Sequence, residues 1–98
     1  RYALVRMAEM VKRHPLIGDV RGLGLLLGIE LVKDRVTKER ATDEAEAVMY
    51  CALSEGLSFK LTMGNILTLT PPLTITQNEM DRALAIIGAC LTKIERES

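Results

Sequence analysis

Tryptophan is absent, and Tyr2, Tyr50 and Phe59 are the only aromatic residues in 98. The interior is therefore expected to be aliphatic. A single histidine, His14, stands beside Pro15, and with two distant cysteines it cannot assemble a zinc site locally. The same scarcity leaves no nucleophile, base and orienting acid for a hydrolytic triad, and His14 reads as a helix-boundary residue. Neither sign of charge is in excess, because 13 Lys and Arg balance 13 Asp and Glu. No net field then gathers nucleic acid or an anionic membrane. The longest apolar run, Leu23 to Ile29, falls far short of the roughly 20 residues that a membrane-spanning helix needs. The opening Arg1-Tyr2-Ala3-Leu4-Val5-Arg6 is charged and amphipathic, unlike a secretory signal. A cytoplasmic location is the resulting expectation. With no initiator methionine, and with an apparent helix already running at residue 1, the chain also reads as a piece of a longer polypeptide.

Apolar residues make up 48% of the chain, which is enough for one core in a chain of single-domain size. From Tyr2 to Arg13, Leu4, Val5, Ala8 and Val11 recur at helical spacing, and the residue before Pro15 is pushed out of the helical region. Ile17 to Arg21 and Leu25 to Val32 read as an antiparallel hairpin turned at Gly22-Leu23-Gly24, the glycines supplying positive φ. Lys33 to Arg40 reads as a charged, solvated loop. Thr42 or Asp43 is the expected cap of a second helix with Ala45, Val48, Met49, Ala52 and Leu53 along one stripe and Gly56 as its stop. Leu57 to Lys60 and Ile66 to Thr70 are strand candidates around a Met63-Gly64-Asn65 turn. Pro71-Pro72 closes the second of these. Thr76-Gln77-Asn78-Glu79 is a capping box for a long final helix. The expected fold class is α+β, a two-layer domain of mostly antiparallel sheet covered by helices, in the order α-β-β-α-β-β-α.

Little in this pattern carries chemistry. Gly18, Gly22, Gly24 and Gly28 lie within and between strands, whereas a phosphate loop joins a strand to a helix amino terminus. Arg21 has the donors to grip a carboxylate or phosphate, but an ion pair with Asp19 or Glu30 is the simpler reading. Cys51 and Cys90 each sit in an apolar helical stretch and read as buried free thiols. Met7, Met10, Met49 and Met80 fit helix packing and imply no metal or cofactor. Thr68, Thr70 and Thr74 surround the proline corner, where strand propensity accounts for them by default.

Two long strings, HPLIGDVRGLGLLLGIELVKD from His14 to Asp34 and GNILTLTPPLTIT from Gly64 to Thr76, resemble the C-terminal small domain of class III aminotransferases. These are pyridoxal-phosphate enzymes of fold type I, a family that includes 4-aminobutyrate aminotransferase and 2,2-dialkylglycine decarboxylase. The resemblance implies that a large domain, absent here, holds the pyridoxal phosphate and its Schiff-base lysine. This chain would then contribute no catalytic, cofactor-binding or metal-binding residue. Its implied partners are its own large domain, a second copy in a homodimer, and a small amine or amino-acid substrate. Many members carry a carboxylate-gripping arginine in the strand before the double proline, and the matching position here is Thr68. One neutral hydroxyl cannot replace that fork. The lactam racemase of the family resembles the chain at the same corner, so a racemase is the alternative to a transaminase. A free-standing α+β ligand-binding module is the reading from outside the enzyme class. Thr68 is the expected substrate contact, with Asn65 and Lys60 as weaker candidates. A severed domain should also expose an apolar patch where it docks.

Overall fold

The computed structural model describes residues 2–23, 26–71 and 75–97. Helix α1 spans Tyr2–Arg13, as the periodicity predicts. Strands β1 (Ile17–Leu23) and β2 (Leu26–Asp34) follow, then a two-residue strand β3 (Glu39–Arg40) and helix α2 (Thr42–Ser54). Strands β4 (Lys60–Thr62) and β5 (Ile66–Leu69) precede the long helix α3 (Gln77–Glu97). All pairings are antiparallel, and the sheet order is β1-β2-β5-β4, with β3 attached to β2.

Alternation along the central strands decides which face becomes the core. Leu27, Ile29 and Leu31 of β2, with Leu67 and Leu69 of β5, are buried against Met7, Val48, Leu84, Ile87 and Leu91 of the helices. The intervening Gly28, Glu30, Ile66 and Thr68 occupy the other face and are half-buried. Tyr2 ties α1 to α3 by donating to both Asp81 oxygens at 2.7 and 2.9 Å, and that hydrogen bond raises its phenol above the ordinary tyrosine range.

The first hairpin differs from the sequence reading. Gly22 and Leu23 belong to β1, paired with Leu27 and Leu26, so the reversal comes later. Gly24 and Leu25 lie outside the described residues. Gly22 serves packing: a Cβ there would sit 3.0 Å from Leu4 Cδ1, so glycine lets α1 approach the strand closely.

The segment 33–40 is also more ordered than a solvated loop. Asp34 Oδ1 accepts the Val36 amide at 2.7 Å, and β3 returns to pair Arg40 with Val32. Arg35 reaches across to three backbone carbonyls: Val11 at 2.7 Å, His14 at 3.0 Å and Ile17 at 3.2 Å. It thereby binds carbonyls where α1 ends and β1 begins, adding a second donor to the His14 oxygen, which already accepts the Ile17 amide at 3.0 Å. Charge-assisted bonds of this kind contribute about 1–3 kcal/mol. Because Arg35 is exposed, Arg35→Ala is expected to cost about 1–2 kcal/mol in a urea titration. Arg35→Lys should recover only part of that, lacking the planar fork.

Helix α2 is entered from Ala41, with no side-chain cap, instead of from Thr42 or Asp43. Ala41 is fully buried and its amide bonds Leu31 O, so the sheet fixes the entry and leaves a capping side chain no place. Asp43 and Glu44 remain in the first turn, where negative charge suits the helix dipole. Gly56, at φ +90°, ends the helix with its amide on Leu53 O, while the Leu57 amide reaches Ala52 O. This is a Schellman arrangement. It turns Leu57 back onto the core, which is why β4 starts at Lys60 and not at Leu57. The capping box of α3 forms as expected: the Glu79 amide donates to Thr76 Oγ1 at 3.1 Å and the Thr76 amide to Glu79 Oε1 at 2.9 Å.

Cys51 and Cys90 correct the free-thiol expectation, because they form a disulfide between α2 and α3. Their helices pack side by side and bring the two Cα atoms to 5.9 Å. Each position was read as apolar from its own helix, and only the meeting of the two faces makes them a pair.

Candidate substrate-facing groove

Register builds the site. Lys60 of β4 is directly opposite Thr68 of β5, Thr68 is opposite Gly28 of β2, and Gly28 is opposite Arg21 of β1. The four positions make one transverse row on the face turned away from the core. Gly28 puts no side chain into the row. Arg21 is occupied at its end, 3.1 Å from Glu30 Oε1 and 3.6 Å from Asp19 Oδ2, as the ion-pair reading expected.

At the other end of the row, a groove of about 510 Å³ opens where β5 ends and α3 begins. Phe59, Leu69, Pro71, Ile75 and Met80 give it an apolar lining, and Lys60 and Thr68 stand on its polar side with Ser58 and Thr70. Thr68 is half-buried and Lys60 is exposed. Oxygens Oγ1 of Thr62 and Thr68 are 2.7 Å apart, so one hydroxyl donates to the other. Pro72 and Thr74, which the sequence reading also placed at this corner, lie outside the described residues.

Asn65 is placed differently from the other two candidates. It is almost fully buried at the start of β5, its Nδ2 donates to Leu31 O at 2.9 Å, and its own carbonyl accepts the Leu31 amide at 2.8 Å. It fastens β5 to β2 and does not line the groove, while its Oδ1 has no hydrogen-bond partner. His14 is likewise structural in its contacts: Nδ1 lies 3.1 Å from Glu95 Oε1, and Glu95 Oε2 accepts the Leu16 amide at 3.3 Å. One carboxylate of α3 thus latches the corner between α1 and β1. The sequence reading missed this latch, because residues about 80 positions apart share no local signal.

The groove of this two-layer α+β unit thus presents an apolar lining, hydroxyls and one ammonium, and no set of three or more His, Cys, Asp or Glu that could hold a metal occurs among the described residues. The family model described as aminotransferase class-III matches residues 1–91, and the chain belongs to that family. It is 51% identical over 89 residues to an (R)-1-hydroxy-2-aminoethylphosphonate ammonia-lyase of Vibrio splendidus, covering 91% of this chain and 19% of that protein. To a leucine/methionine racemase of Thermococcus litoralis it is 45% identical over 94 residues, covering 96% of this chain and 21% of the relative. Among solved structures, a Bacillus anthracis aminotransferase superposes with a TM-score of 0.85 at 37% identity, over 94% of this chain and 22% of that one. The chain spans about a fifth of the length of the curated relatives it matches.

Family membership implies pyridoxal phosphate, and the groove residues do not fit as its seat. Among the described residues no Asp or Glu lines the groove to meet a protonated pyridine nitrogen, and the single lysine there is exposed on the edge strand.

Proposed function

We propose that this chain is the small, C-terminal domain of a larger class III pyridoxal-phosphate enzyme, and that its groove walls the substrate side of the active site. The observation that carries the reading is the groove itself: a pocket-sized apolar surface with polar groups at one end and no group able to anchor the cofactor, in a chain of this family. The cofactor, held by the large domain, supplies an electron sink for charge released at the substrate's reacting carbon. The residues of this chain bind and orient. Thr68 and Lys60 face the substrate, and Asn65 supports them by locking β5 to β2. Apolar residues on the lining exclude water from the pocket when the domains close.

The proposed enzyme is a cytoplasmic homodimer acting on a small amine or amino acid, with neither nucleic acid nor membrane as partner. Balanced charge supports the absence of a polyanionic partner, and no helix among the described residues is long and apolar enough to cross a membrane. Leu26, a large exposed apolar side chain, lies on the groove beside its apolar lining, which supports docking of that face on a large domain.

Amino-group transfer to a keto acid is the leading activity. Racemisation is the second, favoured by Thr68 at the usual arginine position and by the racemase among the relatives. Supplying the full-length enzyme with an amino donor and pyruvate or 2-oxoglutarate separates the two. Acceptor-dependent product supports transfer, whereas loss of optical activity with no acceptor supports racemisation. Turnover by the 98-residue chain alone would defeat the assignment as a pocket wall. The isolated chain mixed with pyridoxal phosphate and borohydride is expected to show no stoichiometric adduct at Lys60 by peptide mass spectrometry. Such an adduct would move the cofactor's lysine into this domain.

A further inference from the structure

The row across the sheet contains one cation that nothing in the described structure occupies. Arg21 is held by Glu30 and Asp19. Among the described residues Lys60 makes no ion pair and is the only charged one lining the groove, with no carboxylate there to neutralise it. We propose that Lys60 binds the acidic head group of the substrate, with the Thr68 hydroxyl as second donor, so that the positive charge of the pocket comes from β4 instead of β5. This rests on the pocket-wall reading above and specifies the substrate as an amine carrying an acid group.

The geometry supports a joint site. Directly opposed residues of an antiparallel pair hold their Cβ atoms about 4.5–5.5 Å apart, and a lysine stem exceeds that reach. The Lys60 ammonium and the Thr68 hydroxyl can therefore meet one anion. Thr62 matters as well: when its hydroxyl donates across the 2.7 Å contact, the Thr68 proton is left with only a long 3.5 Å bond to the Ile66 carbonyl, which an acid oxygen can displace. On the far side of Thr68, Gly28 offers no side chain to crowd a tetrahedral or planar acid. Beside these donors the groove is apolar, which suits the carbon part of such a substrate, and a bond from the ammonium to an acid oxygen is charge-assisted.

Lysine on an edge strand has another ordinary use, that of blocking edge-to-edge aggregation. The two roles separate experimentally. In the full-length enzyme, Lys60→Met and Lys60→Arg are compared with wild type on three donors: an α-amino acid, an aminoalkylphosphonate and a neutral amine of similar size. Lys60→Met is expected to lower kcat/KM for the preferred acidic donor about 10- to 100-fold, chiefly through KM, with the neutral donor little changed. The donor that suffers the larger loss identifies the acid as carboxylate or phosphonate. Lys60→Arg should retain most of the acidic-donor activity, because charge is kept. Inhibition by acetate and by methylphosphonate, which do not react, should weaken in parallel in Lys60→Met.

Equal losses on acidic and neutral donors, or none on either, would overturn the assignment and leave the edge-guard role. If wild type turns over none of the donors, the pocket-wall reading fails in its own right. The amide shifts of Lys60 and Thr68 during a methylphosphonate or acetate titration then still decide this one: shifts lost in Lys60→Met support it, and no shift in wild type rejects it.

Discussion

Removing the Cys51–Cys90 bridge, by reductant or by the double change Cys51→Ala with Cys90→Ala, is expected to lower unfolding stability by about 4 kcal/mol. The value follows from the 39-residue separation of the two cysteines, since a cross-link takes loop-closure entropy from the unfolded chain. For a domain whose total stability is of order 5–15 kcal/mol, that is a large share. Guanidinium titrations with and without reductant measure it. Because Cys90 is buried and Cys51 half-buried, both thiols still pack as small apolar groups after reduction. The native fold should therefore persist with a lower midpoint. Identical midpoints in the two conditions would show that the bridge does not form in solution. Bridges of this kind are uncommon in a reducing compartment, so the redox state of the pair in cells also tests the proposed cytoplasmic location.

Ile29→Ala should cost about 3–4 kcal/mol, the second large effect. Ile29 is fully buried at the middle of β2, a strand with neighbours on both sides, between Val20 of β1 and Leu67 of β5. The lost methylenes forfeit transfer free energy, and a position enclosed by two strands and the helices cannot collapse to fill the space. Val36→Ala is the internal control. Val36 is 89% exposed, and its truncation should change stability by no more than about 0.5 kcal/mol. A similar loss at both positions would mean that the core is not centred on β2. In the proposed full-length enzyme, Ile29→Ala should also weaken substrate binding if the groove walls the pocket, since Gly28 and Thr68 are carried on the strands that Ile29 holds in register.

The fold was legible wherever its signal was local. The apolar stripe of α1, the stop at Gly56, the capping box at Thr76 and the α+β element order all follow from residues within one or two turns of each other. Errors fell where a distant group intervened. Ala41 replaces Thr42 or Asp43 at the start of α2 because Leu31 binds its amide, and β4 slips to Lys60 because Leu57 folds back onto α2. Arg35 looked solvated in a run of alternating charge, yet it finds three carbonyls between 18 and 24 residues away. The candidate site was legible in part. Thr68 and Lys60 were both named, but their direct opposition depends on the register of β4 against β5. Nothing in either segment sets that register alone.

The amino-acid order by itself determined the helices and the main strand pairs, the family and the expectation that the reacting groups lie elsewhere, because hydrophobic period, capping chemistry and two long strings are all written along the chain. Tertiary structure alone decided that the two cysteines meet, where Asn65 and Arg35 spend their donors, and that Lys60 stands beside Thr68 over an apolar groove. Local periodicity says which side of an element is apolar. Only the packing of one element on another says what that side will face.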